Sequence, residues 1–452
     1  MATGTMPTRA RSSDLLEHDI KIQRALVAHP RFSDARSGDA EYDLEEAVGL
    51  AEALGVAPVE ARIVPIREVK VNNFFGSGQI EDMASAIQAL ALDVLIVNGE
   101  LTPIQQRNLE KALNVKVIDR TGLILEIFGL RAATKEGRLQ VELARLNYER
   151  SRLVRTWTHL ERQRGGQGFL AGPGETQIES DRRQLNEKID RLRNQLEDVR
   201  RTRDLQRAKR KRSSERIVAL VGYTNAGKST LFNRLTTGGV LAKDMLFATL
   251  DTTHRILQLP SGQSAIISDT VGFISDLPTQ LITSFRATLE ETLEADVLLH
   301  VRDISDPLTA RRREEVMDVL NQIGAGPDHG QPLIEVWNKA DLLPASDRET
   351  TESLAERART EATLTDAFVV SCLSGEGIEA LVAGVEEALT RSDEILDVTI
   401  TPATFSARAW LHENGHVIDE KSGDAGTLSM TVRLSESDAG KFRAKHHALI
   451  DG

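Results

Sequence analysis

The stretch Gly222-Tyr-Thr-Asn-Ala-Gly-Lys-Ser229 fits the phosphate-binding pattern G-x-x-x-x-G-K-[ST] at every position. It follows the apolar run 217–221 and precedes 230–235, an order that predicts a strand, a loop and a helix. Glycines let backbone N–H groups surround phosphate oxygens, the lysine reaches the β- and γ-phosphates, and the serine hydroxyl suits Mg2+. We therefore expect the whole loop to bind a nucleotide, through Gly222, Tyr223, Thr224, Asn225, Ala226, Gly227, Lys228 and Ser229.

Length and composition indicate a multidomain globular protein. The chain has 452 residues, of which 40% are hydrophobic, and this length predicts about three or four domains. Its one cysteine, Cys372, excludes an internal disulfide framework and fits a reducing compartment. The sequence has no run of eighteen apolar residues and no signal-peptide pattern at its start, so we expect a cytoplasmic protein without a membrane span.

The fold class that these patterns predict is α/β, with a P-loop nucleotide-binding domain at its centre. Helical and strand-like runs alternate between residues 44 and 119, which predicts a small parallel sheet. Beyond residue 396, the segments 399–401, 407–411, 416–419 and 427–434 alternate apolar and polar residues and predict antiparallel strands before a helix at 436–448. We expect a disordered leader at 1–20, an N-terminal α/β domain at 21–130, a basic antiparallel coiled-coil hairpin at 131–212, the GTPase domain at 213–395 and a C-terminal α+β domain at 396–452.

The hairpin prediction rests on two apolar seams that step by three and four residues, one from Leu139 to Leu160 and one from Ile178 to Val199. Between them, residues 165–174 are rich in glycine and contain a proline, so we expect a non-helical tip. Although the whole chain has a net charge of −12, residues 131–212 contain 22 Lys/Arg against 12 Asp/Glu. Arginines flank the tip and crowd the base, which favours an RNA-rich partner; a protein partner or a structural spacer is the alternative.

Two further segments predict loops that respond to the γ-phosphate. Thr249 lies in a polar stretch before a strand and is our choice for a second Mg2+ ligand, with Thr252 and Thr253 as competitors. Asp269 ends a buried strand in the pattern D-x-x-G, so its carboxylate can hold Mg2+ and the Gly272 N–H can sense the γ-phosphate. The nucleotide-binding residues expected here are Phe247, Ala248, Thr249, Leu250, Asp251, Asp269, Thr270, Val271 and Gly272.

The pattern N-K-x-D after another strand predicts which nucleotide base the protein binds. The Asp341 carboxylate can accept hydrogen bonds from guanine N1–H and N2–H2, and adenine has no donor at either position. Asn338 can contact the base edge or brace the phosphate loop. The base-binding residues expected are Asn338, Lys339, Ala340, Asp341, Ser371 and Cys372. The ordered motifs predict a GTPase, with an ATPase or small-molecule kinase as the alternative.

Two residues bear on hydrolysis. Phe273 follows D-x-x-G at the position where Ras-like proteins have a water-orienting glutamine, so we expect slow intrinsic hydrolysis. Asn225 resembles the asparagine with which certain GTPases hold K+ beside the phosphates, so K+ is a candidate cofactor. The residues expected to take part in hydrolysis are Lys228, Asn225, Thr249 and Gly272.

Together these motifs resemble the HflX family of translational GTPases, within the Obg-like branch. The similarity runs from about residue 22 to the C-terminus and includes Phe74-Phe-Gly-Ser-Gly78 and the tip sequence from Gly165 to Arg183. The resemblance implies a factor that binds the large (50S) ribosomal subunit, brings the hairpin tip to 23S rRNA near the peptidyl-transferase region, and splits stalled or idle 70S ribosomes as part of the stress response. It also implies that Ser229, Thr249 and Asp269 are the Mg2+ ligands.

Two positions depart from the family pattern: Gln79 stands where lysine is frequent, and Cys372 where alanine is usual. The Gln79 departure leaves an anion site at the helix that begins near Gly76 without support. We expect a monomer that binds GTP and GDP and hydrolyses GTP to GDP and phosphate in a Mg2+-dependent reaction. A switch acting on a protein partner and a large-subunit assembly factor are the alternative functions.

Overall fold

The structure, a computed structural model, describes residues 22–32, 39–163, 173–212, 216–236, 246–247, 249–250, 252–275, 291–360, 365–423, 426–446 and 449–450. For residues 153–163, 173–179, 181, 200, 202–212 and 365 only the backbone is described. The predicted leader lies outside these residues, as does the hairpin tip up to residue 172.

The chain divides into two compact units, Met1–Arg120 and Thr121–Gly452. The division falls at the start of a helix, Arg120–Arg131, and the boundary at residue 130 that we expect from the sequence lies at the other end of the same helix. Residues 121–131 thus belong with the second unit.

The described residues of the first unit form four parallel strands and three helices. They are β1 (Arg24–Phe32), α1 (Asp39–Ala53), β2 (Ala57–Ile66), α2 (Ser77–Leu90), β3 (Val94–Val97), α3 (Pro103–Leu113) and β4 (Lys116–Asp119). The strand order is β2-β1-β3-β4, with every pairing parallel, as the alternating pattern predicts. Leu26 of β1, Met83 of α2 and Leu109 of α3 are fully buried in its core.

The first turn of α2 is closed by a side chain. Gln79 Oε1 accepts a hydrogen bond from the Gly76 N–H at 2.9 Å, and Gln79 Nε2 donates to the Pro65 carbonyl at 2.8 Å. The glutamine that departs from the family pattern therefore caps this helix, and it takes up a backbone N–H that an anion would need.

The second unit begins with three helices, α4 (Arg120–Arg131), α5 (Lys135–Gln163) and α6 (Pro173–Arg212). Helices α5 and α6 pack along the predicted seam, where Leu139, Leu146, Ile189 and Leu192 are buried together. Helix α6 begins at Pro173, so the prediction that residues 173 and 174 belong to a non-helical tip is wrong. Proline is favoured in the first helical turn because the N–H it lacks has no intrahelical partner there.

A six-stranded sheet follows. Its elements are β5 (Arg216–Gly222), α7 (Lys228–Leu235), β6 (Thr253–Gln258), β7 (Ser264–Asp269), β8 (Val297–Asp303), α8 (Thr309–Ile323), β9 (Leu333–Asn338), α9 (Ala345–Thr360), β10 (Thr365–Val369) and α10 (Ile378–Thr390). The strand order is β10-β9-β8-β5-β7-β6, and β6 alone among these described strands runs antiparallel to its neighbour. Because β5, β7 and β9 are parallel, the motifs at their carboxyl ends lie along one edge of the sheet.

The C-terminal part contains β11 (Glu394–Ile400), α11 (Phe405–Asn414), β12 (His416–Ser422), β13 (Leu428–Leu434) and α12 (Glu436–His446). Its antiparallel strands have the order β11-β13-β12. The prediction of a strand at 407–411 is wrong: this segment lies in α11, where Ala407 and Leu411, four residues apart, bury one helical face. In the part of the chain that the structure describes, no helix is long and apolar enough to span a membrane.

Candidate nucleotide-binding site

The phosphate loop connects β5 to α7 and requires its glycines. Gly222 has φ 145°, and a Cβ on it would lie 2.2 Å from the Val301 carbonyl oxygen. Gly227 has φ 96°, and its Cβ would lie 2.2 Å from Asn338 Nδ2. Any side chain at either position would therefore collide with a neighbouring strand or its last residue. The glycine pattern of the sequence reflects close packing here as well as room for phosphates.

The side chain of Lys228 folds back over the phosphate loop. Its Nζ donates hydrogen bonds to the carbonyl oxygens of Gly222 at 3.1 Å and Tyr223 at 2.7 Å, and the residue is 6% exposed. Burial lowers the pKa of this amine to about 8, against the opposing attraction of Asp269. The ammonium is thus held at the loop by backbone oxygens.

Three oxygen-bearing side chains converge beside Lys228. The Ser229 hydroxyl lies 2.8 Å from Asp269 Oδ2, Thr249 Oγ1 lies 2.9 Å from the same oxygen, and the two hydroxyls are 2.9 Å apart. The other carboxylate oxygen, Asp269 Oδ1, is buried and has no hydrogen-bond partner among the residues that the structure describes. Burial raises the pKa of this carboxyl, and Lys228 and the hydroxyls oppose that rise.

This oxygen cluster fits a Mg2+ ion. Hard divalent cations take hydroxyl and carboxylate oxygens as ligands, and the buried, unpaired Oδ1 is a group that a cation would satisfy. Among the described residues, no group of three or more His, Cys, Asp or Glu side chains converges to form a metal site of another kind. Of the three candidate threonines, Thr249 is the one whose hydroxyl contacts Ser229 and Asp269 in this cluster.

The D-x-x-G segment pairs with the phosphate loop through its backbone. The Thr224 N–H donates to the Phe273 carbonyl at 2.7 Å, and the Phe273 N–H donates to the Gly222 carbonyl at 3.1 Å. A Cβ on Gly272 would lie 2.9 Å from Lys228 Nζ. Phe273 is 5% exposed, so its ring is packed away from water and cannot orient an attacking water molecule.

Asn338 joins the phosphate loop to the loop that contains Ser371 and Cys372. Its Nδ2 donates to the Ala226 carbonyl at 2.9 Å, and its Oδ1 accepts from the Cys372 N–H at 3.0 Å. Of the two roles open for Asn338, the bracing role is the one that these contacts describe. The Cys372 thiol is buried, and burial raises its pKa to about 12.

The remaining base-binding candidates lie together beside Asn338. The Ser371 hydroxyl donates to Asp341 Oδ1 at 2.6 Å, which fixes the carboxylate's orientation. Lys339 has φ 66°, and its Nζ lies 2.6 Å from Asp303 Oδ2. The Ala340 N–H donates to the Val370 carbonyl at 3.2 Å. The edge of the sheet thus carries an oriented carboxylate next to a braced loop.

Other predicted residues are placed as follows. Thr270 donates its hydroxyl to the Leu220 carbonyl at 2.5 Å, Val271 and Leu250 are buried, and Asn225 is exposed with φ 59°. Ala248 and Asp251 lie outside the described residues.

Sequence analysis missed two sets of contacts. The Arg234 guanidinium donates to the Ser374 carbonyl at 2.7 Å and fills the space that a Cβ on Gly375 would enter. The Tyr223 hydroxyl lies 2.6 Å from the Ser275 hydroxyl, which in turn donates to Glu315 of α8 at 3.0 Å. Neither pairing has a sequence signal, because each joins residues far apart in the chain.

A strand–loop–helix phosphate cradle, a D-x-x-G carboxylate beside it and an N-K-x-D carboxylate at the same sheet edge define a P-loop GTPase. Four family models match successive parts of the chain. They are "GTP-binding GTPase N-terminal" over residues 41–129, "GTP-binding GTPase Middle Region" over 131–210, "50S ribosome-binding GTPase" over 217–339 and "HflX C-terminal domain" over 353–447.

Curated relatives extend the match over nearly the whole chain. GTPase HflX of Magnetococcus marinus is 47% identical over 402 residues, covering 89% of this chain and 90% of that protein. GTPase HflX of Escherichia coli is 39% identical over 433 residues, covering 95% and 97%. The crystal structure of a GTP-binding protein from the hyperthermophilic archaeon Sulfolobus solfataricus in complex with GDP matches 82% of this chain and 99% of its own chain, with 23% identity and a TM-score of 0.45. The chain belongs to the HflX family of GTPases, and it binds guanine nucleotides and hydrolyses GTP.

Proposed function

We propose that this GTPase associates with the large (50S) ribosomal subunit through its hairpin and separates 70S ribosomes that are stalled or idle. The observation that carries the proposal is the hairpin itself, whose helices contain 29 and 40 residues. A helix of 40 residues is about 60 Å long, enough to carry a narrow tip deep into a crevice of a large particle. The description "50S ribosome-binding GTPase" of the model that matches residues 217–339 supports the same partner.

Charge on the hairpin supports contact with rRNA. Arg182 and Arg183 are exposed near the tip end of α6, and Arg201 is exposed toward its base. Exposed guanidiniums neutralise phosphates and release their counterions, so such contacts favour RNA. In this proposal the tip approaches 23S rRNA and the protein acts as a cytoplasmic monomer.

For the nucleotide, we propose that the loop Gly222 to Ser229 cradles the phosphates and that Lys228 turns from its carbonyl partners toward the β- and γ-phosphates. Ser229, Thr249 and Asp269 would hold Mg2+, which supplies positive charge to the phosphate oxygens. The Gly272 N–H would sense the γ-phosphate. Asp341, oriented by Ser371, would read guanine, while Asn338 fixes the distance between the base and phosphate sites.

The switch follows from these contacts. With GTP bound, Thr249 stays in the oxygen cluster and the segment after Gly272 stays on the phosphate loop. Loss of the γ-phosphate removes the ligand that favours this arrangement, so both loops are released. We propose that the GTP-bound arrangement favours ribosome binding and subunit separation, and that hydrolysis permits release.

Because Phe273 is packed away from water, the attacking water must be oriented by other groups. We propose that Asn225, exposed on the phosphate loop, holds K+ and that K+ accelerates hydrolysis. Turnover measured in K+ and in Na+ at equal ionic strength tests this. Equal rates, or an Asn225→Ala variant with an unchanged K+ response, would reject it.

Sucrose-gradient sedimentation tests the ribosome proposal. Purified 70S ribosomes are mixed with this protein and either a non-hydrolysable GTP analogue or GDP. We expect conversion to subunits and comigration of the protein with 50S only with the analogue. Comigration with 50S without loss of 70S would favour an assembly factor, and migration alone in both states would favour a switch that acts on a protein partner.

A further inference from the structure

We propose that Phe128, on the helix that leads into the hairpin, is a positioning residue for GTP binding: its ring holds Phe247 and thereby keeps Thr249 in the oxygen cluster. This inference rests on the proposed role of Thr249 as a ligand in the GTP-bound state. It adds a residue that lies outside every nucleotide motif of the sequence.

The contact is an edge-to-face pair of buried rings. The centroids of Phe128 and Phe247 are 4.7 Å apart, with an angle of 82° between the ring planes. Phe128 is 1% exposed and Phe247 is 2% exposed. Edge-to-face geometry at this distance is a favoured arrangement of aromatic rings, and it adds directionality to their burial. The ring of Phe247 is therefore fixed from the side of α4.

The backbone of Phe247 needs such an anchor. Its φ is 55°, in the left-handed region that bulky side chains disfavour. A phenylalanine keeps this conformation only where its surroundings stabilise it more than the strain costs. If the ring loses its partner, the loop is free to relax to an ordinary conformation, and the residues that follow move with it.

Thr249 follows two residues later. Its hydroxyl lies 2.9 Å from both Ser229 Oγ and Asp269 Oδ2. Leu250, the residue after Thr249, is 3% exposed, so a buried side chain also follows the threonine. The hydroxyl thus sits between two buried apolar side chains, and one of these is held by Phe128.

Helix α4 is connected closely to the hairpin. The Ala132 N–H donates to the Phe128 carbonyl at 2.9 Å, and α5 begins three residues later at Lys135. Arg145 of α5 lies 3.7 Å from Glu126 of α4. The same helix that bears Phe128 is therefore attached to the root of the hairpin. Through the ring of Phe128, a displacement of the hairpin acts on the segment that holds Phe247 and Thr249. By linkage, binding of the γ-phosphate at Thr249 then acts on the hairpin to the same extent.

The test is nucleotide discrimination in a Phe128→Leu variant of the full chain. Fluorescence titration measures its affinity for GDP and for a non-hydrolysable GTP analogue at fixed Mg2+. We expect the analogue to bind about three- to tenfold more weakly, the range that loss of an aromatic pair gives, while GDP binding stays within about twofold. Phe442→Leu, at a fully buried ring of the C-terminal domain, is the matched control and should change neither affinity.

A double-mutant cycle with Phe247→Leu separates positioning from general destabilisation. If the two rings act through one contact, the double variant should lose no more of its affinity for the analogue, relative to GDP, than either single variant loses. Additive losses, or equal weakening of GDP and the analogue in Phe128→Leu, would overturn the proposal. Should Phe128→Leu fail to fold, Phe247→Leu alone must show the selective loss of analogue binding.

A Thr249→Ala variant separates the proposed role of Phe128 from the proposed role of Thr249. If this variant loses preference for the analogue but Phe128→Leu does not, the positioning role fails and the role of Thr249 stands. If Thr249→Ala keeps its preference, the proposed role of Thr249 fails and the inference fails with it.

Discussion

The side chain of Asn338 donates a hydrogen bond to the Ala226 carbonyl at 2.9 Å, across 112 residues of sequence. Its oxygen accepts from the Cys372 N–H at 3.0 Å. One amide thus fixes the phosphate loop against the loop beside the base site. In the proposed site, a bound nucleotide bridges these two loops.

Asn338→Ala should weaken binding of both GDP and GTP by at least about tenfold. The change leaves the Ala226 carbonyl and the Cys372 N–H without their partner, and an unsatisfied buried polar group costs about 1–3 kcal/mol. Fluorescence titration with either nucleotide measures the loss. Asn414→Ala, which removes one side-chain hydrogen bond to the Trp410 carbonyl in the C-terminal domain, is the control. Similar affinities for the two variants would contradict the bracing role.

Gly375→Ala should lower nucleotide affinity, whereas Gly330→Ala should not. Both glycines have positive φ, 94° and 79°, so alanine introduces about 1–2 kcal/mol of comparable backbone strain at each. A Cβ on Gly375 would also lie 1.9 Å from Arg234 Nη2 and displace the guanidinium that holds the Ser374 carbonyl. No atom of the described residues lies within 4 Å of a Cβ on Gly330. Equal affinities in the two variants would mean that the Arg234 contact is irrelevant to the base site.

The stability of the GTPase domain should depend on His300 in mild acid. Burial lowers the pKa of this imidazole to about 3, with nearby Arg302, Arg313 and Lys228 in the same direction and Glu335 opposing. Between pH 6.5 and 3 the unfolded chain therefore binds a proton that the folded chain does not, so stability falls as the pH falls.

We expect His300→Gln to remove roughly 2 kcal/mol of the loss between pH 7 and pH 5, since one such group contributes about 1.4 kcal/mol per pH unit. Urea unfolding of wild type and variant at both pH values measures the difference. Parallel pH profiles for the two proteins would show that the imidazole is accessible to protons in the folded state.

Charge reversal near the hairpin tip should weaken binding to 50S subunits. In Arg182→Glu/Arg183→Glu, two exposed cations become anions. The negative slope of log affinity against log salt should become shallower, by about 1.4–1.8, if each arginine contacts one phosphate. Lys188→Glu/Arg191→Glu makes the same charge change at exposed positions on the stem of the same helix. Cosedimentation with 50S over a range of salt compares them. Equal losses would indicate general electrostatic attraction rather than contact near the tip.

The sequence was sufficient for the parts of the site that have fixed spacing. The phosphate loop and D-x-x-G follow buried strands, so the positions of Lys228 and Asp269 at one sheet edge could be predicted from the strand pattern. The choice of Thr249 over Thr252 and Thr253 also agrees with its place in the oxygen cluster. These positions could be predicted because local strand and loop chemistry determines them, and the roles of these residues in nucleotide binding stay predictions.

Contacts between distant segments could not be predicted. Phe128 is an ordinary apolar residue in sequence, and only the packing of α4 brings its ring against that of Phe247. Strand β1 contains Pro30, which is unusual inside a sheet, and its pattern gave no prediction. The segment 407–411 was assigned to a strand because Ala407, Ala409 and Leu411 alternate with other residues, although the pair Ala407 and Leu411 equally fits a helix.

The buried thiol of Cys372 has a practical consequence. It is the chain's one cysteine, and with its pKa raised to about 12 it forms little thiolate, the nucleophilic species that reacts with maleimides and oxidants. A cysteine introduced on the surface, as in Arg183→Cys, would then be the single reactive thiol of the protein. A cross-linker attached there would test whether RNA lies beside the hairpin, without any need to remove the native cysteine.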